Sequence, residues 1–368
     1  MTQPPPHDTA PAHPANHDRA DRPRDLPITS LVLHSTEEDW PTTLAIFGDP
    51  ARSVSAHWLV RSHDGHLTRT ADESDIAWHA GNWYLNQTSI GIEQEGRAAD
   101  GHHCFTDALY RTTAALAAHL AHRHRIPLDR MHLLGHDNVP PALPERAPAM
   151  HTDPGPYYDW ARLLTLLGRP LAATAPPGAP LIAIHPGWEA NPQPLAPCDR
   201  HPGAPARPAN FLPLRTHPDP EAPLLGPGCL HDTTGRATAG QRYATAGRTG
   251  EWTAIWYDGR RAWLHDPGHA PTTAPVRGPA VRPRRDRTPV WGRAYPDPGA
   301  YPAGTAAPAA VPLAHLDTGQ RYACGGPAPT VHRTDAATTV TATEPHLVIQ
   351  LGHRIGYVRA ADVELLPA

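Results

Sequence analysis

Leu31-Val32-Leu33-His34-Ser35-Thr36 is a short apolar run that ends in a histidine. It extends back to Ile28 and reads as a strand buried on both faces, as inside a sheet flanked by helices. Two further runs close in the same way. Ser89-Ile90-Gly91-Ile92-Glu93-Gln94-Glu95-Gly96 delivers Glu93, and Leu134-Gly135-His136 delivers a second histidine. Downstream, Asp153 stands in the stiff turn His151-Thr152-Asp153-Pro154-Gly155-Pro156. A catalytic zinc takes three protein ligands and leaves a fourth position to water. His34, His136 and Asp153 supply such a set, and a separate carboxylate is available to carry a proton. These are the parts of a metal-assisted hydrolase.

Working outward, Pro41 to Phe47 reads as a short helix stopped by Gly48 and Pro50. Ser55 to Arg61 and His66 to Thr70 read as a strand pair around the Asp64-Gly65 turn. Asp107 to His124 is predicted as a helix capped by Thr106, with Leu109, Thr113, Leu116 and Leu120 on one stripe. Tyr158 to Leu167 closes the segment as another helix. Strands and helices interleave, so the expected class is α/β with a mixed sheet.

The 368 residues allow two or three domains. A net charge of −4 gives no overall field toward nucleic acid. Arg282, Arg284, Arg285 and Arg287, broken by Pro and Asp, read as solvated charge rather than a nucleic-acid patch. The chain contains no lysine; every fixed side-chain cation is arginine. With 26 histidines, a histidine is a ligand candidate only where a motif places it. His102-His103-Cys104 are adjacent and do not converge on one ion. The 47 prolines favour irregular connections over one large core. Four cysteines, Cys104, Cys198, Cys229 and Cys324, form no CxxC pair; Cys198 and Cys229 are a candidate pair in an oxidising compartment, which the sequence does not decide. No apolar run is long enough for a membrane helix, so no membrane partner is expected. Met1 to Asp25 lacks the apolar core of a secretory signal.

Six segments carry a resemblance: Leu33-His34-Ser35, Ser55-Ala56-His57-Trp58-Leu59-Val60, Trp78-His79-Ala80-Gly81, Ser89-Ile90-Gly91-Ile92-Glu93, Gly135-His136-Asp137, and Thr152-Asp153-Pro154-Gly155-Pro156-Tyr157-Tyr158-Asp159-Trp160. In this order they resemble the zinc-dependent N-acetylmuramoyl-L-alanine amidases, a family that includes T7-type phage lysozyme and the peptidoglycan recognition proteins. The likeness covers roughly residues 27 to 168. It implies a zinc ion on His34, His136 and Asp153, where Asp153 would otherwise be only a turn-former. Glu93 and Glu95 share one face of their strand, and the family pattern puts the catalytic acid at Glu93. The phage-lysozyme branch has a tyrosine where this chain has Ala56, which leaves the proton transfer to Glu93. Relatives usually carry lysine two residues before the last ligand; here it is His151, a substitute oxyanion donor or simply a loop histidine. His79 and Asn86 match substrate-groove positions, and read equally well as a packed loop histidine and a turn asparagine.

Beyond the amidase-like segment, Gly240-Gln241-Arg242-Tyr243-Ala244 recurs as Gly319-Gln320-Arg321-Tyr322-Ala323, and each copy ends in a hairpin. Two short all-β units of this kind resemble bacterial SH3-type barrels, with Trp252, Trp256 and Tyr257 as aromatics able to stack on sugar or peptide. The expected organisation is a disordered tail over 1–26, a zinc amidase domain over 27–168, a Pro/Ala-rich linker over 169–207, an SH3-like repeat over 208–269, a linker over 270–288 and a second repeat over 289–367. The resemblance implies hydrolysis of the amide between N-acetylmuramic acid and the L-alanine of the stem peptide, with peptidoglycan as the partner of both groove and tail. The alternatives are a non-catalytic peptidoglycan receptor and an amidase for soluble muropeptides. Function places the chain at the cell wall or outside the cell; the missing signal leaves a cytoplasmic stage before release.

Overall fold

The structure, a computed structural model, describes residues 3–199 and 201–368. The opening run forms the Ser30–Ser35 strand of a six-stranded sheet. Across the sheet the order is Asp8–Thr9, Leu67–Arg69, Trp58–Val60, Ser89–Gln94, Ser30–Ser35, Leu133–Gly135. Only the Trp58–Val60 and Leu67–Arg69 pair is antiparallel, so the sheet is mixed, as predicted. Side-chain alternation divides the strands between two cores. Leu31, Leu33, Ile90 and Ile92 pack with Leu109, Leu116 and Leu120 of the Asp107–His124 helix. Val32, on the opposite face, packs with Tyr84 and Leu134. That helix starts where Thr106 accepts a hydrogen bond from the Leu109 N–H at 3.2 Å, and ends at Arg125 in the left-handed region, φ 58°.

The expected disorder of 1–26 does not hold over residues 3–26. Asp8–Thr9 adds to the sheet edge, and His17–Asp18 pairs with Ile76–Ala77. Leu26 is fully buried. The Arg22 guanidinium is buried and donates to the carbonyls of Asn86 (3.2 Å), Gln87 (3.1 Å) and Ser89 (2.8 Å). One arginine thus satisfies backbone acceptors where a helix runs into a strand, although burial lowers its pKa to about 9. Polar composition gives no sign of this anchoring.

The C-terminal half contains two five-stranded sheets. The first runs Arg260–His265, Trp252–Tyr257, Arg242–Thr249, Leu181–Ile184, Thr273–Val276; the second runs Ile355–Arg359, His346–Gln350, Tyr322–Ala328, Ala280–Pro283, Val363–Leu366. Both have the same order when strands are counted along the chain: fourth, third, second, first, fifth. The duplication read from Gly-Gln-Arg-Tyr-Ala is therefore a duplication of topology. Its expected borders are not. Leu181–Ile184, inside the expected 169–207 linker, lies within the first sheet, and the expected 270–288 linker holds Thr273–Val276 and Ala280–Pro283. Four-residue runs set among proline and alanine are too short to stand out from composition.

These sheets do not hang free of the amidase-like domain. Leu26, Val32, Tyr84 and Leu134 share one core with Leu181, Val276, Val348 and Tyr357. Asn82 Nδ2 donates to both the Pro140 carbonyl (2.9 Å) and the Gly292 carbonyl (2.8 Å). Gly292 has no alternative there, since a Cβ would lie 1.9 Å from the Pro141 oxygen. Tyr257, expected to face solvent, is fully buried in the first unit, and Trp256 packs against the shared core and that of the second unit. Arg282 and Arg285 pair with Glu364 and Asp362 at the chain's end.

Candidate active site

Parallel pairing puts His34 in register with Glu93, and Leu33 with Gly135, one residue before His136. Two candidate ligands and the candidate base thus leave three adjacent strands at their carboxyl ends, where open α/β sheets bind ligands. Asp153 arrives from the following turn. Its Oδ2 accepts a hydrogen bond from the Ser35 N–H at 3.1 Å, and its carbonyl accepts from the Asp137 N–H at 2.8 Å. The turn is therefore tied to both ligand-bearing strands.

The three side chains are buried and converge. His34 Nδ1 lies 3.0 Å from His136 Nδ1 and 3.5 Å from Asp153 Oδ2, and His136 Nδ1 lies 3.2 Å from Asp153 Oδ1. Ligands about 2.0–2.1 Å from a tetrahedral zinc are about 3.3 Å from one another. The donor set therefore fits such an ion in spacing and chemistry. Burial, then the neighbouring His136, lowers the pKa of His34 to about 4, so its ring is neutral as a ligand must be. Burial alone would raise Asp153; the His136 and His34 imidazoles outweigh it and hold the carboxyl well below the usual range.

Glu93 and Glu95 separate cleanly. Glu95 Oε1 accepts from the Trp40 N–H and Oε2 from the Ser62 N–H, both at 2.8 Å, so it is committed to joining loops. Glu93 Oε2 is buried with no hydrogen-bond partner among the described residues. Burial, then Asp153 and Glu37, push its pKa well above the ordinary value. An unpartnered carboxyl beside a ligand triad is poised to exchange a proton.

His151 sits at the mouth, its side chain 73% exposed, with Nδ1 3.8 Å from Asp153 Oδ1 and its ring 4.9 Å from that of His136. His79 and Asn86 lie behind the triad rather than in a groove, a correction to the substrate-binding expectation. His79 Nδ1 is 3.0 Å from His34 Nε2, fixing the orientation of that ring. It lies against Gly91, where a Cβ would come within 2.6 Å of the ring. Asn86 Oδ1 accepts from the N–H groups of His79 (3.1 Å) and Ala80 (2.7 Å). The packed-histidine alternative describes His79; Asn86 is not a turn residue but lies within the Trp83–Thr88 helix, from which its side chain holds the His79 loop.

A cleft reached by Asp153 of the triad and by His151 has a volume of about 720 Å³. Glu37 lines it, with Oε1 accepting from Ser35 Oγ and the Ala98 N–H, both at 2.8 Å; in sequence it belongs to an unremarkable acidic run. The opposite wall comes from outside the amidase-like segment and includes the free thiols of Cys198 and Cys229, His231 and Arg354. No sequence motif connects these residues to the site.

Residues 24–156 match the family model described as N-acetylmuramoyl-L-alanine amidase. N-acetylmuramoyl-L-alanine amidase A of Achromobacter lyticus is 29% identical over 154 residues, 38% of this chain and 82% of that protein. The 1,6-anhydro-N-acetylmuramyl-L-alanine amidase AmpD of Citrobacter freundii is 38% identical over 120 residues, 31% of this chain and 57% of that protein; the chain thus spans little more than half of this relative's length. A crystal structure of an AmpD selenomethionine derivative is 31% identical, with 45% of this chain and 97% of that one covered and a TM-score of 0.37. The family match spans His34, Glu93, His136 and Asp153 together, and through residues 24–156 this chain belongs to the N-acetylmuramoyl-L-alanine amidase family.

Proposed function

We propose that the chain is a zinc-dependent amidase that hydrolyses the amide joining N-acetylmuramic acid to the L-alanine of the stem peptide. The observation that carries this is the convergence of His34 Nδ1, His136 Nδ1 and Asp153 beside the unpartnered Glu93 carboxyl. His34, His136 and Asp153 would hold a zinc ion, which would supply Lewis-acid polarisation of the amide carbonyl and a lowered pKa for water. Glu93 takes the proton of the attacking water and returns it to the departing alanine nitrogen. His151, at the mouth, offers an N–H to the oxygen on which charge develops. His79 keeps the His34 ring from turning. A receptor without turnover has no use for an unpaired buried carboxyl at this place, which sets that alternative aside.

Soluble muropeptides are favoured over polymeric wall as the substrate form by one observation: the C-terminal half walls one side of a cleft whose volume is that of small-ligand sites. The name of the AmpD relatives, acting on 1,6-anhydro-N-acetylmuramyl-L-alanine, agrees with this choice. The matching five-stranded units are read as SH3-like modules that shape the cleft, rather than as a free wall tether.

Metal analysis tests the proposal. The purified chain should carry about one zinc, lose turnover of a muramyl-L-alanyl peptide on chelation and regain it with added zinc. Asp153→Ala should neither hold the metal nor be rescued. Equal zinc in both proteins would remove Asp153 from the ligand set.

A further inference from the structure

The cleft wall contributed by the C-terminal half ends in the turn Gly352-His353-Arg354, between the His346–Gln350 and Ile355–Arg359 strands. The turn is locked in place. His353 Nε2 is 2.9 Å from Asp137 Oδ2, next to the ligand His136. The His353 carbonyl accepts from Asn138 Nδ2 at 3.1 Å and Gln241 Nε2 at 2.7 Å, and the Gly352 carbonyl accepts from the Tyr243 hydroxyl at 3.0 Å. Its backbone is thus held from both the amidase domain and the first β unit.

Arg354, the next residue, lines the same cleft as Asp153 and His151, and is the only arginine among the described residues that does so. Its Nε is buried without a partner. No described residue makes an ion pair or a side-chain hydrogen bond with its guanidinium; Asp137 and Asp258 are the carboxylates that act on its charge, and neither is in ion-pair contact. A half-buried guanidinium without a partner is costly, and a fork of N–H donors on a rigid turn is shaped for a planar anion. In the substrate proposed above, the lactyl carboxyl is consumed in the scissile amide, so the remaining carboxylates belong to the peptide.

We propose that Arg354 is the receptor for the free α-carboxylate of the second stem-peptide residue, making the second β unit part of the substrate site. This rests on the amidase reading, and the test separates the two. The zinc-loaded full chain is given muramyl-L-Ala-D-glutamate and muramyl-L-Ala-D-isoglutamine, which both keep the γ-carboxyl of the second residue and differ only in whether its α-carboxyl is free or amidated. The free acid should be preferred by about tenfold or more in kcat/KM, chiefly through KM. Arg354→Ala should bring that ratio toward one by raising KM for the acid. Arg354→Lys should keep part of the preference, as a point charge without the fork. Equal turnover of both compounds by the unmodified chain would overturn the proposal without needing any variant, as would a ratio unchanged in Arg354→Ala. Turnover of neither compound would overturn the amidase reading, and this inference with it.

Discussion

Glu93 and Glu95 leave one strand on one face, and their hydrogen-bond partners give them different duties. Glu95 holds two backbone N–H groups, whereas Glu93 keeps an oxygen free in a buried place. Glu93→Gln should therefore keep metal and fold but lose about 10²-fold or more in turnover, the scale of a removed general base. Glu95→Gln should leave turnover within a few-fold and cost about 1–2 kcal/mol of stability, because an amide oxygen cannot satisfy both N–H groups. Steady-state rates and denaturant melts of the two variants check this; the reverse ranking would exchange their roles. At this scale much of the site was legible, because His34, Glu93 and His136 each terminate an apolar run and strand ends are where sheets present side chains. For His79 the sequence left two readings open for a physical reason. Its work depends on Gly91, a neighbour in space on another element, and a loop motif cannot show which face of a ring is covered.

Among the elements, long ones were legible and short ones were not. The Asp107–His124 helix announces itself by its cap and stripe, and the sequence reading and the structure agree on its ends. Leu181–Ile184 is four residues within a proline-rich stretch, and its place in the first sheet comes from pairing with Arg242–Thr249 and Thr273–Val276, contacts remote in sequence. The Gly352–Arg354 turn is a hairpin end by pattern, yet it supports the loop that carries the candidate ligand His136. His353→Ala should leave the buried Asp137 carboxylate without this partner, destabilising the protein by about 3 kcal/mol. It should also weaken zinc binding about 10–100-fold, the usual scale for a support one step removed from the ligands. Metal titration with a thermal melt reads both effects. Unchanged zinc affinity would show that the turn only packs.

At the scale of the whole molecule, the two halves share a hydrophobic core, so they fold as one body rather than as an enzyme with an appendage. A chain ending at Gly168 would expose Val32, Tyr84, Leu134 and Val139, each worth about 2 kcal/mol when buried. Its melting temperature should fall by roughly 10 °C or more, if it stays soluble at all. A truncated chain melting with the intact protein would mean that the shared core contributes nothing. The central claim concerns which bond is cut, and mass spectrometry of the products of zinc-loaded enzyme acting on muropeptides and on purified sacculi reads it directly. The account predicts peptides beginning at a free L-alanine amine together with N-acetylmuramic acid bearing a free lactyl carboxyl, released faster from the muropeptides. Peptides still attached to muramic acid, with cleavage in the glycan or between stem residues, would contradict it.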